Sequence, residues 1–258
     1  MRDDHVVIVT GAAAGLGRAM TRGLLAAGRR VAAVDLAHET ASNDANLLTV
    51  TASVRSDADC ERAVAETLAH FGRVDALINN AGLGIAWVSP DPATMIVPFY
   101  TAPVDRWRAL IDTNVNGPFL MARAVTPHLI AAGWGRIVNI TTSYATMIRG
   151  GNSPYGPAKA ALEAATVVWS ADLAGTGVTV NVLIPGGASD TAMVTHAEAR
   201  DRSTLIRPDV MIAPAVWLTS QAADGVTGRR FIGRDWDPAA PIAANVARAG
   251  APAGWRPD

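Results

Sequence analysis

Lysine is almost absent from this sequence. The chain has 258 residues, and of its 22 Lys and Arg side chains only Lys159 is a lysine. Arginine supplies the positive charge everywhere else, so position 159 is the one place where a compact ammonium replaces a planar guanidinium. We therefore treat Lys159 as a candidate functional residue.

Charge and cysteine are also scarce. Charged residues make up 17% of the chain, the formal net charge is −1, and the arginines do not gather on one face, which argues against nucleic acid or an anionic membrane as partner. Cys60 is the single cysteine, so no internal disulfide can form, which fits a reducing compartment. No apolar run has membrane-spanning length, and the acidic start M-R-D-D-H is untypical of a signal peptide. The sequence predicts a cytoplasmic protein, and the prediction includes no metal site.

What the chain has in quantity is apolar residues, in two alternating patterns. Short β-branched runs predict strands at 6–10, 30–35, 47–51, 74–79, 135–141, 178–184 and 228–233. Helical patterns lie between them, at 15–27, 57–71, 104–132 (with a potential break at Gly117-Pro118), 155–174 and 209–222. Strand and helix in alternation predict an α/β fold, a doubly wound parallel sheet in three α/β/α layers, formed by one domain over residues 1–258.

A glycine-rich turn follows the first predicted strand and opens the first helix. It reads T-G-A-A-A-G-L-G and contributes Thr10, Gly11, Gly15, Leu16 and Gly17. Glycines let the backbone approach a pyrophosphate, and the free N–H groups of a helix N-terminus bind phosphate. The alternative is a turn that merely contains glycines, but its place between strand and helix favours phosphate binding.

Asp35 ends the second predicted strand, where an acidic side chain can accept hydrogen bonds from the adenosine ribose. Its charge would repel a 2′-phosphate, and neither Leu36 nor Ala14 offers a basic group to bind one. The sequence therefore predicts NAD rather than NADP, unless Asp35 is an ordinary residue at the start of a loop.

Tyr155 and Lys159 are spaced i,i+4, which places them one turn apart on one helix face. Pro154 and Pro157 predict a helix that begins at 154–155, because proline is tolerated only in the first turn. The helix dipole and the ammonium then both favour the phenolate of a tyrosine, which ordinarily titrates near pH ~10. The alternative is a surface tyrosine beside a solvated lysine.

Together these motifs resemble the short-chain dehydrogenase/reductase family. The resemblance runs from about residue 5 to about residue 233 and rests on T-G-A-A-A-G-L-G, N-N-A-G at 79–82, Asn114 in D-T-N-V-N-G, the strand I-V-N-I-T-T-S and Y-G-P-A-K. It implies a Rossmann fold, a nicotinamide cofactor and hydride transfer between C4 of its ring and a secondary alcohol or ketone.

The resemblance also implies a role for each matching residue. Tyr155 would be the general acid/base, Lys159 would hold the nicotinamide ribose and favour the phenolate, and Asn114 would bind a water of the proton relay. The further cofactor contacts that it implies are Ser53, Val54, Asn80, Ala81, Gly82, Pro185, Gly186 and Thr191.

The family's substrate-binding serine has two candidates here. The usual spacing to the tyrosine falls on Thr142, and the nearest serine is Ser143. Either hydroxyl could donate to the substrate oxygen, and we place Ser143 slightly ahead of Thr142, although both stand at a strand end, where Ser and Thr often only cap turns.

Two segments interrupt the alternation of strands and helices. The insert at 83–104 offers Ile85, Trp87, Met95, Ile96, Phe99 and Tyr100, either as an apolar pocket wall or as residues that pack the insert onto the core. His196 could add a polar contact. The tail at 235–258, with Trp236 and Trp255, could cover a neighbouring subunit or be partly disordered.

The predicted function is an NAD-dependent oxidoreductase acting on a small-molecule alcohol or ketone. The resemblance implies a homodimer or homotetramer formed through the helices around 104–132 and 155–174. Two alternatives remain: a cofactor-independent lyase or dehalogenase, whose members lose the glycines and often have Arg for Lys, and a non-catalytic NAD sensor, which need not keep Tyr, Lys and Asn together.

Overall fold

Eight strands form one sheet in the computed structural model, which describes residues 4–38, 44–89, 96–194 and 201–255. Their order is β3-β2-β1-β4-β5-β6-β7-β8, with every neighbouring pair parallel except the antiparallel β7 and β8. The strands are β1 (Val6–Thr10), β2 (Arg30–Asp35), β3 (Leu47–Thr51), β4 (Ala76–Asn79), β5 (Gly135–Ile140), β6 (Val178–Ile184), β7 (Arg229–Ile232) and β8 (Gly250–Pro252).

Helices alternate with most of the strands along the chain. They are α1 (Gly15–Ala26), α2 (Asp57–Phe71), α3 (Ile85–Val88), α4 (Val104–Ile111), α5 (Gly117–Ala132), α6 (Tyr144–Met147), α7 (Tyr155–Asp172), α8 (Ile212–Leu218) and α9 (Ile242–Ala249). A π-helical turn, Asp112–Asn116, joins α4 to α5. Among the described residues, none of the helices is both long and apolar enough to cross a bilayer.

Alternate strand residues divide the core between the two faces of the sheet, because successive side chains of a strand point to opposite sides. Val7 and Val9 of β1 pack with α1, α8 and α9, whereas Ile8 packs with α2 and α5. The strands β1, β4, β5 and β6 are buried along their whole length, which explains their continuous apolar runs, whereas the edge strands β3 and β8 are partly exposed. The predicted three-layer α/β fold is confirmed.

The chain changes direction across the sheet between β1 and β4. From β1 it proceeds outward to β2 and β3, and it then crosses back to β4 on the other side of β1. Helices diverge from such a point, so the carboxyl ends of β1 and β4 border a crevice, where ligands bind in open α/β sheets.

The structure departs from the predicted elements in two places. The pattern at 104–132 is divided by the π-helical turn, which ends where Gly117-Pro118 begins α5. The described residues of the tail, 235–255, fold onto this chain, with β8 along β7 and Trp236 packed on Trp217, so these residues do not show the disorder expected as one alternative. The other alternative, that the tail also covers a neighbouring subunit, stays a prediction. Those tail elements lacked a β-branched run long enough to predict them.

Candidate active site

The glycine-rich turn lies at the carboxyl end of β1, beside the crevice. Gly11 has φ +63°, and a Cβ on Gly17 would lie 2.0 Å from the Gly11 carbonyl oxygen, so α1 packs onto the turn only because position 17 lacks a side chain. No side chain caps the start of α1, and its first turn has no acidic residue. The N–H groups of Gly15, Leu16 and Gly17 therefore begin a helix suited to an anion.

Thr10 and Asn80 hold this turn against the end of β4. Thr10 Oγ1 accepts from the backbone N–H groups of Asn80 and Ala81, both at 3.0 Å. Asn80 Nδ2 donates in return to the carbonyls of Thr10 and Gly11, at 2.9 and 3.0 Å. The two side chains thus shape the crevice through contacts within the protein.

Asp35 reaches the same turn from the end of β2. One carboxylate oxygen accepts from Ala13 N at 2.8 Å and the other from Leu36 N at 2.7 Å. These bonds fix the carboxylate beside the phosphate-binding turn, where each oxygen keeps a lone pair for another donor.

Ser53 and Val54 follow β3. Ser53 Oγ accepts from Arg55 N at 3.3 Å, while Val54 is 9% exposed and packs in the core that α2 and α5 cover. The Val54 side chain therefore supports the crevice wall from behind.

The start of α7 carries Tyr155 and, one turn later, Lys159. The helix begins at Tyr155, as Pro154 and Pro157 predicted, and the backbone of Gly156 closely approaches α6, since a Cβ there would lie 2.3 Å from Met147 O. The Tyr155 ring packs on the apolar cluster of Ile85, Val88, Val97, Leu110 and Ala158.

Lys159 is buried at the carboxyl ends of β4 and β5. Its side chain is 5% exposed, and Nζ donates to the carbonyl of Ile140 at 2.8 Å. A methyl group on Gly82 would lie 3.6 Å from Lys159 Nζ and 3.4 Å from Asn114 Oδ1, so the three residues meet at one point.

Asn114 anchors the loop after β4. Its amide donates to Leu83 O at 2.9 Å and accepts from Leu83 N at 2.8 Å. The residue is fully buried within the π-helical turn, a distortion that often marks functional sites. The Asn114 side chain is thus committed to Leu83.

Burial sets the ionisation of Lys159. Desolvation by burial lowers the pKa of this ammonium from its ordinary 10.5 to about 8. Near neutral pH the group is still charged, so the folded protein carries an unfavourable buried cation.

Replacing Lys159 with Met should therefore stabilise the nucleotide-free protein at pH 7, by about 1–3 kcal/mol after the lost bond to Ile140 is allowed for. Below about pH 8 the folded and unfolded lysines are both charged and the penalty is complete. From about pH 8 to 10.5 the unfolded chain binds more protons, so the parent gains stability as pH rises and the advantage of the variant disappears. Urea unfolding at pH 7 and 10 measures this; a variant less stable than the parent at pH 7 would contradict it.

Thr142 and Ser143 follow β5 and have different contacts. Thr142 accepts through its carbonyl from Arg230 Nη2 at 2.6 Å. Ser143 is the N-cap of α6, where its Oγ accepts from Thr146 N at 3.2 Å and lies 2.7 Å from Thr146 Oγ1. Because α6 packs on the start of α7, the Ser143 hydroxyl lies at the end of a helix that contacts the segment carrying Tyr155.

Pro185 and Gly186 follow β6, and the segment after them bends over the crevice. A Cβ on Gly15 would lie 3.0 Å from Thr191 Cγ2, and one on Gly84 would lie 2.7 Å from Met193 Cγ. The segment 186–194 thus extends from the glycine-rich turn to the loop after β4.

The insert only partly matches its two predicted roles. Ile85 is buried, as packing onto the core requires, whereas Trp87 is half exposed and Ile96, Phe99 and Tyr100 are 69%, 71% and 77% exposed. The packing role is therefore wrong for those three residues. Met95 and His196 lie outside the described residues.

Sequence reasoning missed a buried ion pair next to this site. Glu163 of α7 is 0% exposed and bonds Arg230 of β7, Nη1 to Oε2, at 2.7 Å. Glu163 follows Tyr155 and Lys159 at the same i,i+4 interval, which was the available signal.

Known proteins resemble the chain over most of its length. The family model described as short chain dehydrogenase matches residues 5–202. A 2-(R)-hydroxypropyl-CoM dehydrogenase from Xanthobacter autotrophicus is 35% identical over 235 residues, in an alignment that covers 86% of this chain and 89% of that protein. An NADP-dependent 3-hydroxy acid dehydrogenase from Salmonella typhi is 31% identical over 226 residues, in an alignment that covers 82% of this chain and 87% of that protein.

A solved structure agrees with the fold. The 3-ketoacyl-(acyl-carrier-protein) reductase from Brucella melitensis, complexed with NADH, aligns with a TM-score of 0.76 and 26% identity. The alignment covers 88% of this chain and 95% of that one.

Proposed function

Because the chain belongs to the short chain dehydrogenase family and is a nicotinamide-dependent oxidoreductase, we propose that it interconverts a secondary alcohol and its ketone, with Tyr155 as general acid/base. The observation that carries this is the buried Lys159, one turn beyond Tyr155 and beside Gly82 and Asn114. When bound, the nicotinamide supplies the hydride donor or acceptor at its C4 carbon.

Tyr155 moves the proton. In alcohol oxidation its phenolate takes the hydroxyl proton of the substrate, and in ketone reduction its phenol returns one to the forming alkoxide. Lys159 favours the phenolate through its charge and offers donors to ribose hydroxyls. The Asn114 side chain is committed to Leu83, so its main chain, in the π-helical turn, is the part that would meet a relay water.

Ser143 is the hydroxyl that we assign to the substrate oxygen. If Thr146 Oγ1 donates to Ser143 Oγ across their 2.7 Å contact, Ser143 accepts twice and its own proton remains for the substrate. A donor aimed at the developing alkoxide stabilises the transition state more than the ground state.

Ser143→Ala should lower kcat by roughly 100-fold, because one oxyanion donor is lost. Thr142→Val, which keeps the carbonyl that Arg230 binds and removes only the hydroxyl, should stay within about threefold of the parent. Steady-state kinetics on both variants decides between them. A larger loss in Thr142→Val would transfer the assignment to Thr142.

The cofactor fits the residues at the crevice. The uncapped start of α1 and the Gly11–Gly17 contact suit a pyrophosphate, and Asp35 suits the adenosine ribose. The proposed contacts are Gly11, Gly15, Leu16, Gly17, Asp35, Ser53, Ala81, Gly82, Tyr155, Lys159, Pro185, Gly186 and Thr191, with Thr10, Val54 and Asn80 shaping the crevice behind them.

NAD is the proposed cofactor, although one relative above is named as NADP-dependent. Asp35→Asn keeps the size of the side chain and removes its charge, although the single amide oxygen can accept from only one of Ala13 N and Leu36 N. Loss of the charge should raise the NADP/NAD ratio of kcat/KM by roughly 10- to 100-fold. Kinetics with both cofactors measures the ratio. A parent that already prefers NADP, or an unchanged ratio in the variant, would refute the assignment.

The two alternatives have no support from the relatives, which are dehydrogenases and reductases by name. The glycine-rich turn and Lys159, which a lyase-type relative would have lost, are both in place. NADH formation with NAD across a panel of secondary alcohols, with NADP in parallel, tests the proposal. Tight NAD binding without turnover on the panel would favour a sensor.

We further propose that the whole chain acts as one catalytic unit within a homodimer or homotetramer. The apolar side chains of Phe119 and Ile130 on α5 and of Val168 on α7 are 50%, 44% and 56% exposed, as expected of helices that pack against a second copy. Sedimentation as a monomer at assay concentration would refute the assembly.

A further inference from the structure

Except for Ser143, the residues from 139 to 144 are each hydrogen-bonded to α7 or β7. Asn139 Nδ2 donates to Thr166 Oγ1 at 2.9 Å, and the carbonyl of Ile140 accepts from Lys159 at 2.8 Å. Thr141 Oγ1 donates to Glu163 Oε2 at 2.7 Å.

The residues on either side of Ser143 also have contacts with α7 and β7. Thr142 O accepts from Arg230 Nη2 at 2.6 Å, and the Tyr144 hydroxyl lies 3.2 Å from Glu163 Oε1. The Arg230 guanidinium also stacks on the Tyr144 ring, 4.2 Å from its centre. Ser143 alone in this run directs its side chain to α6 instead.

The contacts of Thr141, Thr142 and Tyr144 all involve the Glu163–Arg230 pair. Glu163 Oε2 accepts hydrogen bonds from Arg230 Nη1 and Thr141 Oγ1. Glu163 Oε1 faces the Tyr144 hydroxyl and the backbone N–H of Gly254, the latter at 3.4 Å. A buried ion pair is often no more stabilising than apolar residues of the same volume. Stability alone therefore does not explain why the chain has this pair.

The end of the described chain closes the same cluster. The Tyr144 hydroxyl lies 3.0 Å from the carbonyl of Gly254, and the ring centres of Tyr144 and Trp255 are 5.3 Å apart. Burial and the nearby Glu163 carboxylate raise the pKa of Tyr144 to about 12, so its hydroxyl keeps its proton at any ordinary assay pH.

We propose that the buried Glu163–Arg230 pair, closed by Tyr144 and the tail at Gly254–Trp255, is a positioning device that fixes the 141–144 segment and so aims the Ser143 hydroxyl at the substrate oxygen. The inference rests on the proposed function. Glu163, Arg230 and Tyr144 are positioning residues, since their described contacts are with the protein. Their effect should fall on the chemical step, because a misplacement of about 1 Å can cost roughly 100-fold in rate.

Two variants test the device. Glu163→Gln keeps the shape of the side chain but removes the charge that faces Arg230, and we expect kcat to fall roughly 10- to 100-fold. Tyr144→Phe leaves the ion pair intact and removes only the hydroxyl that links it to the tail, so a fall of roughly three- to tenfold is expected. If Glu163→Gln does not fold, Tyr144→Phe decides.

Two measurements separate positioning from general damage. The dissociation constant of NADH, from fluorescence titration, should stay within about twofold of the parent, because the device does not touch the glycine-rich turn or Asp35. The isotope effect on kcat with a carbinol-deuterated alcohol should rise, because hydride transfer becomes more fully rate-limiting.

The chain contains a control ion pair at the opposite end of the sheet, in which only the arginine is buried. Arg136 is also buried, stacks on an aromatic ring (Trp134, 4.0 Å) and binds one carboxylate, that of Asp224. Asp224→Asn should lower Tm while leaving kcat within about twofold of the parent.

The outcomes are distinct. Variants of Glu163 and Tyr144 with the kcat of the parent, or a loss that Asp224→Asn reproduces at an equal fall in Tm, would overturn the positioning role while the parent still turns over. A parent that forms no NADH with any alcohol on the panel would overturn the proposed function as well.

Discussion

Tyr155→Phe should lose roughly 1,000-fold or more in kcat for alcohol oxidation. The substitution removes one oxygen atom from a ring that packs on the cluster of Ile85, Val88 and Ala158, so the packing at the start of α7 remains. The substrate hydroxyl then has no side chain to take its proton as the hydride leaves. Single-turnover kinetics with saturating NAD measures the loss directly.

The control for this variant is its affinity for NADH. The pyrophosphate and adenosine ends of the proposed site lie at the glycine-rich turn and Asp35, so the dissociation constant should change by no more than about threefold. A Tyr155→Phe protein with the activity of the parent would show that the proton moves through another group.

Lys159→Arg should lose roughly 100-fold in kcat although the positive charge is kept. The lysine is 5% exposed, its ammonium donates to Ile140 O, and Gly82 borders it closely. A longer, planar guanidinium does not fit this space without displacing the backbone around Gly82, and its donors point in other directions.

Lys159→Met is the matched variant, because it fills a similar volume without charge. It should lose more activity than Lys159→Arg and move the acid limb of the kcat/KM profile to higher pH, since the phenolate loses its neighbouring cation. Together with the stability gain expected at pH 7, this would show that Lys159 is retained for its role in catalysis although it lowers the stability of the folded protein. An Arg variant as active as the parent would make the lone lysine an accident of composition.

The sequence predicted those parts of the site whose geometry depends on residues close together in the chain. Pro154 and Pro157 predicted where α7 begins, and the i,i+4 spacing then predicted that Tyr155 and Lys159 share a face. Gly11 and Gly17 predicted a tight turn into α1, because a Cβ on Gly17 would collide with the Gly11 carbonyl. The relation to short-chain dehydrogenases, inferred from the same motifs, is confirmed.

The parts that the sequence did not predict depend on contacts between distant segments. Glu163 and Arg230 are 67 residues apart, and Gly254 reaches Glu163 from 91 residues away. Neither separation leaves a local pattern. The sequence also did not predict which apolar residues of the insert are exposed. Ile96 and Phe99 are large and apolar, as residues packed onto a core are, and yet they face solvent.

Deuterium transfer tests the central claim most directly. The protein is incubated with NAD and secondary alcohols deuterated at the carbinol carbon, and the NADH formed is isolated and weighed by mass spectrometry. The account predicts NADH that is one mass unit heavier with the parent, and a rate of labelling reduced roughly 1,000-fold in Tyr155→Phe. NADH without deuterium, or labelling at the parent's rate in Tyr155→Phe, would contradict it.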